Sequence, residues 1–241
     1  MTLPAVWLLR TDDIPIGSTH ARALESLLSN DERARRQRYR GEEARHQFTL
    51  ARALTRRVLG DISGQAPESL VFSRLESGKP ILGATPELRF SLSHSGMWIA
   101  LAVSCEADIG IDIEHPRKPR DFMRVARHYF HPDECALLES PPSELAPVHF
   151  YRLWTMKEAF FKARGTGISE GLSRINLAGF HLGRGIGFAD DLAGAELPWQ
   201  FHYGMFALPD TTQLHLAIAG TDAGIAEIRK ENIHRGLDVI G

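Results

Sequence analysis

Between Asp108 and His115 the chain reads DIGIDIEH, a run in which isoleucine alternates with glycine or a carboxylate. A strict period of two is the pattern of a strand. It sets Ile109, Ile111 and Ile113 on one face and Gly110, Asp112 and Glu114 on the other. A rise of ~3.3 Å per residue then aims two carboxylates the same way, about 7 Å apart. Such a face is either solvated, paired with arginine, or the seat of a divalent cation. Mg²⁺ commonly takes one or two carboxylates together with phosphate oxygens, which makes the third option the functional one. Gly110 is expected to keep the space in front of the pair clear.

The pattern around this strand is mixed. AVWLLR at the start predicts a strand, and the stretch from Leu28 to Gly60 predicts a helix interrupted near Gly41. Ser29 or Asn30 would cap that helix and Gly60 would end it. LVFSRLESGKPIL predicts a strand and a turn at Gly78-Lys79-Pro80, and LRFSLSHSGMWIALAVS two strands about a Ser/Gly turn. FMRVARHYF, HPDECALLES and VHFYRLWTMKEAFFKARGTG predict helices, the last stopped by Gly165 and Gly167. WQFHYGMFAL and QLHLAIAG predict closing strands, and HLAIAG echoes WIALAVS. Helix followed by strands thus occurs twice, which points to a duplicated α+β unit. The proline- and charge-rich HPRKPRDF is the expected linker, dividing the chain into 1–118 and 119–241.

Bulk properties exclude several classes. The 241 residues carry a formal net charge of -2, which argues against a general nucleic-acid binder. Two cysteines, Cys105 and Cys135, make neither a disulfide framework nor a zinc site. No apolar run approaches the ~18 residues of a membrane span. The opening MTLPAVWLLRTDD lacks the basic start and the long apolar run of a signal peptide, so a cytoplasmic location is expected.

Further chemistry clusters on the predicted helix WTMKEAFFKARGTG. Trp154, Glu158, Phe161 and Lys162 recur at helical spacing and share one face. The aromatic pair marks that face as facing the interior, a poor setting for a simple solvent-exposed Glu–Lys pair. Glu158 would supply a third carboxylate, and Lys162 could neutralise or protonate a leaving group. His94, between Ser93 and Ser95, is either a turn histidine held by local hydroxyls or a phosphate contact or base. Lys79 sits where an ammonium could meet a phosphate. Nine arginines fall between Arg33 and Arg57, a solvated face or a local positive patch for an anionic ligand or acidic partner.

In order, GKP, SLSHS, GIDIE, FHPDE and WTMKEAFFKARGTGIS form a set that resembles the Sfp-type 4′-phosphopantetheinyl transferases. The likeness extends from the arginine-rich helix to about Ser169. It implies an α+β fold made of a pseudo-twofold pair of similar subdomains, with the active site at their interface, and the duplicated halves point to a monomer. It implies transfer of the phosphopantetheine arm of coenzyme A to a serine of an acyl, polyketide or peptidyl carrier protein, with Mg²⁺. By the resemblance Asp112, Glu114 and Glu158 fall on metal-ligand positions, with Glu158 as base and Lys162 beside the pyrophosphate as stabiliser or acid. Lys79 and His94, with Pro80 and Ser93 of the same motifs, fall on coenzyme A contacts, as does Asp112 through the metal. Arg35 matches a basic residue near the 3′-phosphate, and Glu134 a further acidic position. Some members carry a second basic residue one turn before Arg35, where this chain has Glu32 beside Arg33. Two rivals use the same residues differently: a metal-dependent phosphatase or pyrophosphatase, and a non-catalytic module that binds carrier proteins through the arginine-rich helix.

Overall fold

The computed structural model describes residues 4–76, 78–105, 107–118, 120–140, 142–180, 184–210, 212–225 and 233–240. The chain forms two compact units, Met1–Ala107 with Ile228–Gly241, and Asp108–Glu227. The boundary expected from the linker falls at Pro119, outside the described residues, as does Ser77 of the SGKP turn.

The first unit holds β1 (Ala5–Arg10), α1 (Thr19–Ser26), α2 (Asn30–Gln37), α3 (Glu42–Ser63), the hairpin β2 (Phe72–Arg74) and β3 (Pro80–Leu82), then β4 (Leu88–Ser95) and β5 (Trp98–Cys105). β5 lies between β1 and β4, antiparallel to both, and a short strand, Ile233–Arg235, runs parallel to β1 on its other edge. Ser29 caps α2 in a reciprocal box with Glu32, as the sequence predicts. Gly41 stands between α2 and α3. Gly60 does not end α3, which continues to Ser63 and closes on Gly64 at φ 70°. Gly60 is needed for another reason: a Cβ there would lie 2.8 Å from the Gln65 carbonyl oxygen, because the chain folds back over the last turn. Leu50, Leu54, Val58 and Leu59 of α3 join Trp7, Leu9, Ile99, Leu101 and Val103 in one core.

The second unit holds β6 (Ile109–Glu114), α4 (Phe122–Tyr129), α5 (Pro132–Glu139), α6 (Ala146–Arg164), the two-residue strands β7 (Ile175–Asn176) and β8 (Gly187–Phe188), then β9 (Gln200–Ala207) and β10 (Gln213–Gly220). β10 lies between β6 and β9, antiparallel to both. The echoed segments WIALAVS and HLAIAG are thus the inner strands of their two sheets, β5 and β10, buried along nearly their whole length. Each unit lays a long helix on a sheet, and the class is α+β.

How closely α6 lies on β6 is set by Gly110. A Cβ at that position would stand 2.0 Å from the Ala159 carbonyl oxygen and 2.4 Å from the Ala163 nitrogen. The expectation that Gly110 leaves room for a ligand is therefore corrected: the backbone of α6 fills that space. The carboxylate face of β6 is the face that meets the helix.

Candidate active site

Residues of β6 and α6 build the acidic part of the site. Asp112 is buried and Glu114 half-buried on β6, opposite Ala217 and His215 of β10. On α6, Phe161 is fully buried while Trp154, Glu158 and Lys162 are half-buried, so the predicted stripe lies along the border of the packed surface. The Lys162 ammonium donates to Asp112 Oδ1 at 2.7 Å. Burial pushes the Glu158 carboxyl up to about 7; the negative charges of Asp112 and Glu114 add to that, and Lys162 offsets part of it. A carboxyl poised there exchanges its proton near neutral pH.

The donor set suits a hard cation, since carboxylate oxygens are what Mg²⁺ takes, and Glu158 is raised by burial and by its two carboxylate neighbours. The side chains as they stand are not gathered round a cation. Among the described residues no three His, Cys, Asp or Glu side chains are close enough together to hold one, and Lys162 supplies the countercharge at Asp112.

Glu134 belongs to a different arrangement. It forms an ion pair with Lys157 at 2.7 Å, and both side chains are 0% exposed. Glu134 also accepts from the backbone N–H groups of His131 and Leu177, while Lys157 donates to the carbonyls of Leu172 and Ile175. This pair ties α5 and the strand β7 to α6. Lys157 escapes the sequence reading above, yet it left a signal: its helical neighbours Leu153, Phe160 and Phe161 are apolar, so its ammonium must be buried with a partner.

The first unit carries the basic residues. Lys79 is buried beside Gly78, which turns the β2–β3 hairpin at φ 86°, and Pro80 opens β3. β4 continues through Ser95, so Ser93 and His94 point to opposite faces of the strand; Ser93 is buried and His94 exposed. Arg35 and Pro80 line one groove of about 340 Å³, together with Glu32, Phe48, Arg52, Arg56, Phe72 and Arg74. The Arg35 guanidinium lies over the Phe48 ring at 5.8 Å, and that of Arg52 over Phe72 at 4.5 Å.

Several of the other arginines are engaged within the unit. Arg36 bonds Thr49 at 2.9 Å and pairs with Glu25 at 3.2 Å, and Arg33 donates to the Ser26 carbonyl. Arg38 and Arg40 stay exposed. The structure thus brings Asp112, Glu158 and Lys162 together in one unit, and Arg35 and Pro80 in the other.

Family models match both halves of the chain. The model of the 4′-phosphopantetheinyl transferase superfamily matches residues 108–219, and that of the 4′-phosphopantetheinyl transferase N-terminal region matches residues 15–106. The 4′-phosphopantetheinyl transferase HetI of Nostoc sp. is 41% identical over 64% of this chain and 66% of its own length. The 4′-phosphopantetheinyl transferase psf-1 of Bacillus pumilus is 38% identical over 62% of this chain and 63% of its own length. A phosphopantetheinyl transferase of Thraustochytrium sp. is 32% identical over 88% of this chain and 77% of its own. The first two matches span just under two thirds of those relatives. The chain belongs to the 4′-phosphopantetheinyl transferase superfamily. No described helix is long and apolar enough to cross a membrane.

Proposed function

We propose that this chain transfers the 4′-phosphopantetheine arm of coenzyme A to a serine of an apo-carrier protein, in the cytoplasm, and releases 3′,5′-ADP. The observation that carries the reading is Glu158, half-buried on α6 beside Asp112 and Lys162 and raised to about 7. A hydroxyl nucleophile needs a base that is free near neutral pH, and a departing phosphate needs a cation, and this cluster offers both. The serine oxygen bonds to the β-phosphorus as the bond from that phosphorus to the oxygen of 3′,5′-ADP breaks. The serine proton passes to Glu158, and the electron pair leaves with the ADP phosphate, whose charge the Lys162 ammonium neutralises. Asp112, Glu114 and Glu158 would hold Mg²⁺, which supplies charge stabilisation on the pyrophosphate when bound. In the first unit Lys79, Pro80, Ser93, His94 and Arg35 are assigned to coenzyme A; the groove containing Arg35 and Pro80 supports this for the 3′-phosphate end.

The test is mass spectrometry of acyl, polyketide and peptidyl apo-carriers after incubation with coenzyme A and Mg²⁺. The arm's mass should appear on the carrier serine, and Asp112→Asn should slow its appearance about a hundredfold or more while the circular dichroism stays unchanged. Release of 3′,5′-ADP at the same rate without any carrier would replace this reading with the phosphatase. Coenzyme A left intact with every carrier would leave only a binding module.

A further inference from the structure

The groove around Arg35 is lined by two carboxylates, Asp31 and Glu32, and Glu32 is ion-paired with two of its arginines. Glu32 Oε1 accepts from Arg52 Nε at 2.5 Å, and Oε2 accepts from Arg56 Nε at 2.8 Å and from the Ser29 N–H at 3.0 Å. Burial pushes the Glu32 carboxyl up, but Arg52, Arg56 and the Ser29 N–H together hold it below the ordinary carboxylate range, so it is charged at neutral pH.

The two arginines it holds differ in what else binds them. Arg56 is 1% exposed and donates to the carbonyls of Pro67 and Leu70 as well, so it is fixed whatever Glu32 does. Arg52 lies over the Phe72 ring at 4.5 Å, and its hydrogen bonds among the described residues go to Glu32. Arg35 is near enough to act on the charge of Arg52, and it is exposed at the same groove. A terminal phosphate meeting Arg35 therefore has a second guanidinium close by, already committed to a carboxylate. Arg74, the remaining arginine of the groove, is exposed and donates to the Gly78 carbonyl at 2.6 Å.

We propose that Glu32 is a specificity-determining residue: by holding Arg52 it leaves Arg35 and Arg74 to read a terminal phosphate, and so lowers the preference of this chain for coenzyme A over dephospho-coenzyme A. The proposal rests on the coenzyme A reading above. A carboxylate in this position also keeps the Arg52 guanidinium over the Phe72 ring, a surface suited to a heteroaromatic ring more than to a phosphate.

Titration calorimetry of the intact protein with coenzyme A and with dephospho-coenzyme A tests it without any turnover. Glu32→Gln preserves the reach-back to Ser29, because glutamine serves at that position of a capping box. It should raise the affinity ratio of the two ligands about five- to tenfold, the worth of one charge-assisted hydrogen bond, with dephospho-coenzyme A unchanged. Glu32→Gln/Arg52→Gln should return the ratio to the wild-type value. Arg52→Gln alone, which needs no stable Glu32 variant, should keep the ratio within about twofold of wild type, whereas Arg35→Gln should collapse it. An unchanged ratio in Glu32→Gln overturns the proposal. So does a double variant that keeps the raised ratio, since removal of the negative charge would then suffice. So does an Arg52→Gln loss as large as that of Arg35→Gln. A wild type that binds neither ligand removes the coenzyme A reading as well, and is told apart by that result.

Discussion

Helix α6 carries two lysine–carboxylate pairs little more than one turn apart, and they are finished differently. Lys157 and Glu134 are 0% exposed, and their remaining donors and acceptors meet backbone groups of Leu172, Ile175, His131 and Leu177. One positive charge meets one negative charge there. Lys162 and Asp112 are 29% and 7% exposed, and the same ammonium also acts on Glu158, which Asp112 and Glu114 both push toward its neutral form. A pair that only holds structure is closed on itself. A pair at a partly open surface, with two further carboxylates beside it, is a place that a cation can reach.

The largest effect comes from opening the closed pair. Lys157→Met would leave Glu134 charged at 0% exposure with only two backbone N–H groups, at a cost of about 3–5 kcal/mol. Urea unfolding of the second unit should show that loss. Lys157→Met/Glu134→Leu should recover much of it, because apolar replacements of both partners carry no desolvation penalty. A single variant within about 0.5 kcal/mol of wild type would mean the pair is not the lock that joins α5, β7 and α6.

Glu158 gives the contrasting result, a substitution that stabilises. Its folded value of about 7 lies above the ordinary glutamate value of 4.5, so the folded chain binds this proton more tightly than the unfolded chain. Stability from this group is full below the unfolded value and is lost as pH rises from there through about 7. Glu158→Gln, which has no charge to acquire, should match wild type near the unfolded value. In metal-free buffer it should exceed wild type by about 3 kcal/mol at alkaline pH. Thermal melts across that window decide it, and equal melting temperatures at the alkaline end would mean that Glu158 carries its charge without strain.

This contrast was only half legible in the sequence. The period of two placed Asp112 and Glu114 on one strand face, and the helical spacing set Glu158 and Lys162 on one stripe, because local geometry fixes both. What faced them was not legible. Gly110 reads the same whether a ligand or a helix backbone fills the space beside it, and only the packing of α6 decides for the helix. Gly60 likewise reads as a helix stop, until the chain folding back over the last turn is seen to need it inside the helix. Glu134 announced itself through its motif, but its partner Lys157 is a long-range pairing that a single strand or helix pattern does not carry. Glu32 looked like a missing cation beside Arg35, whereas its link to Arg52 and Arg56 depends on α2 lying against α3.

The smallest effect probes the open pair itself. Lys162 lowers the Glu158 value against burial, Asp112 and Glu114. Lys162→Met should therefore move the Glu158 titration midpoint upward, read by carbon NMR of labelled glutamate carboxyls in the metal-free protein. The shift should stay within about one unit, because the ammonium is 29% exposed and water screens much of its charge. Added salt should narrow the difference between the variant and wild type, since a screening length of ~8 Å at physiological ionic strength is comparable to the size of the cluster. Mg²⁺ should move the midpoint the other way in both proteins, as a divalent cation favours the ionised carboxyl more strongly than the lysine does. A midpoint unmoved in Lys162→Met would show that the lysine acts on Asp112 alone and that Glu158 does not feel it. A midpoint unmoved by Mg²⁺ would show that the ion does not bind beside Glu158.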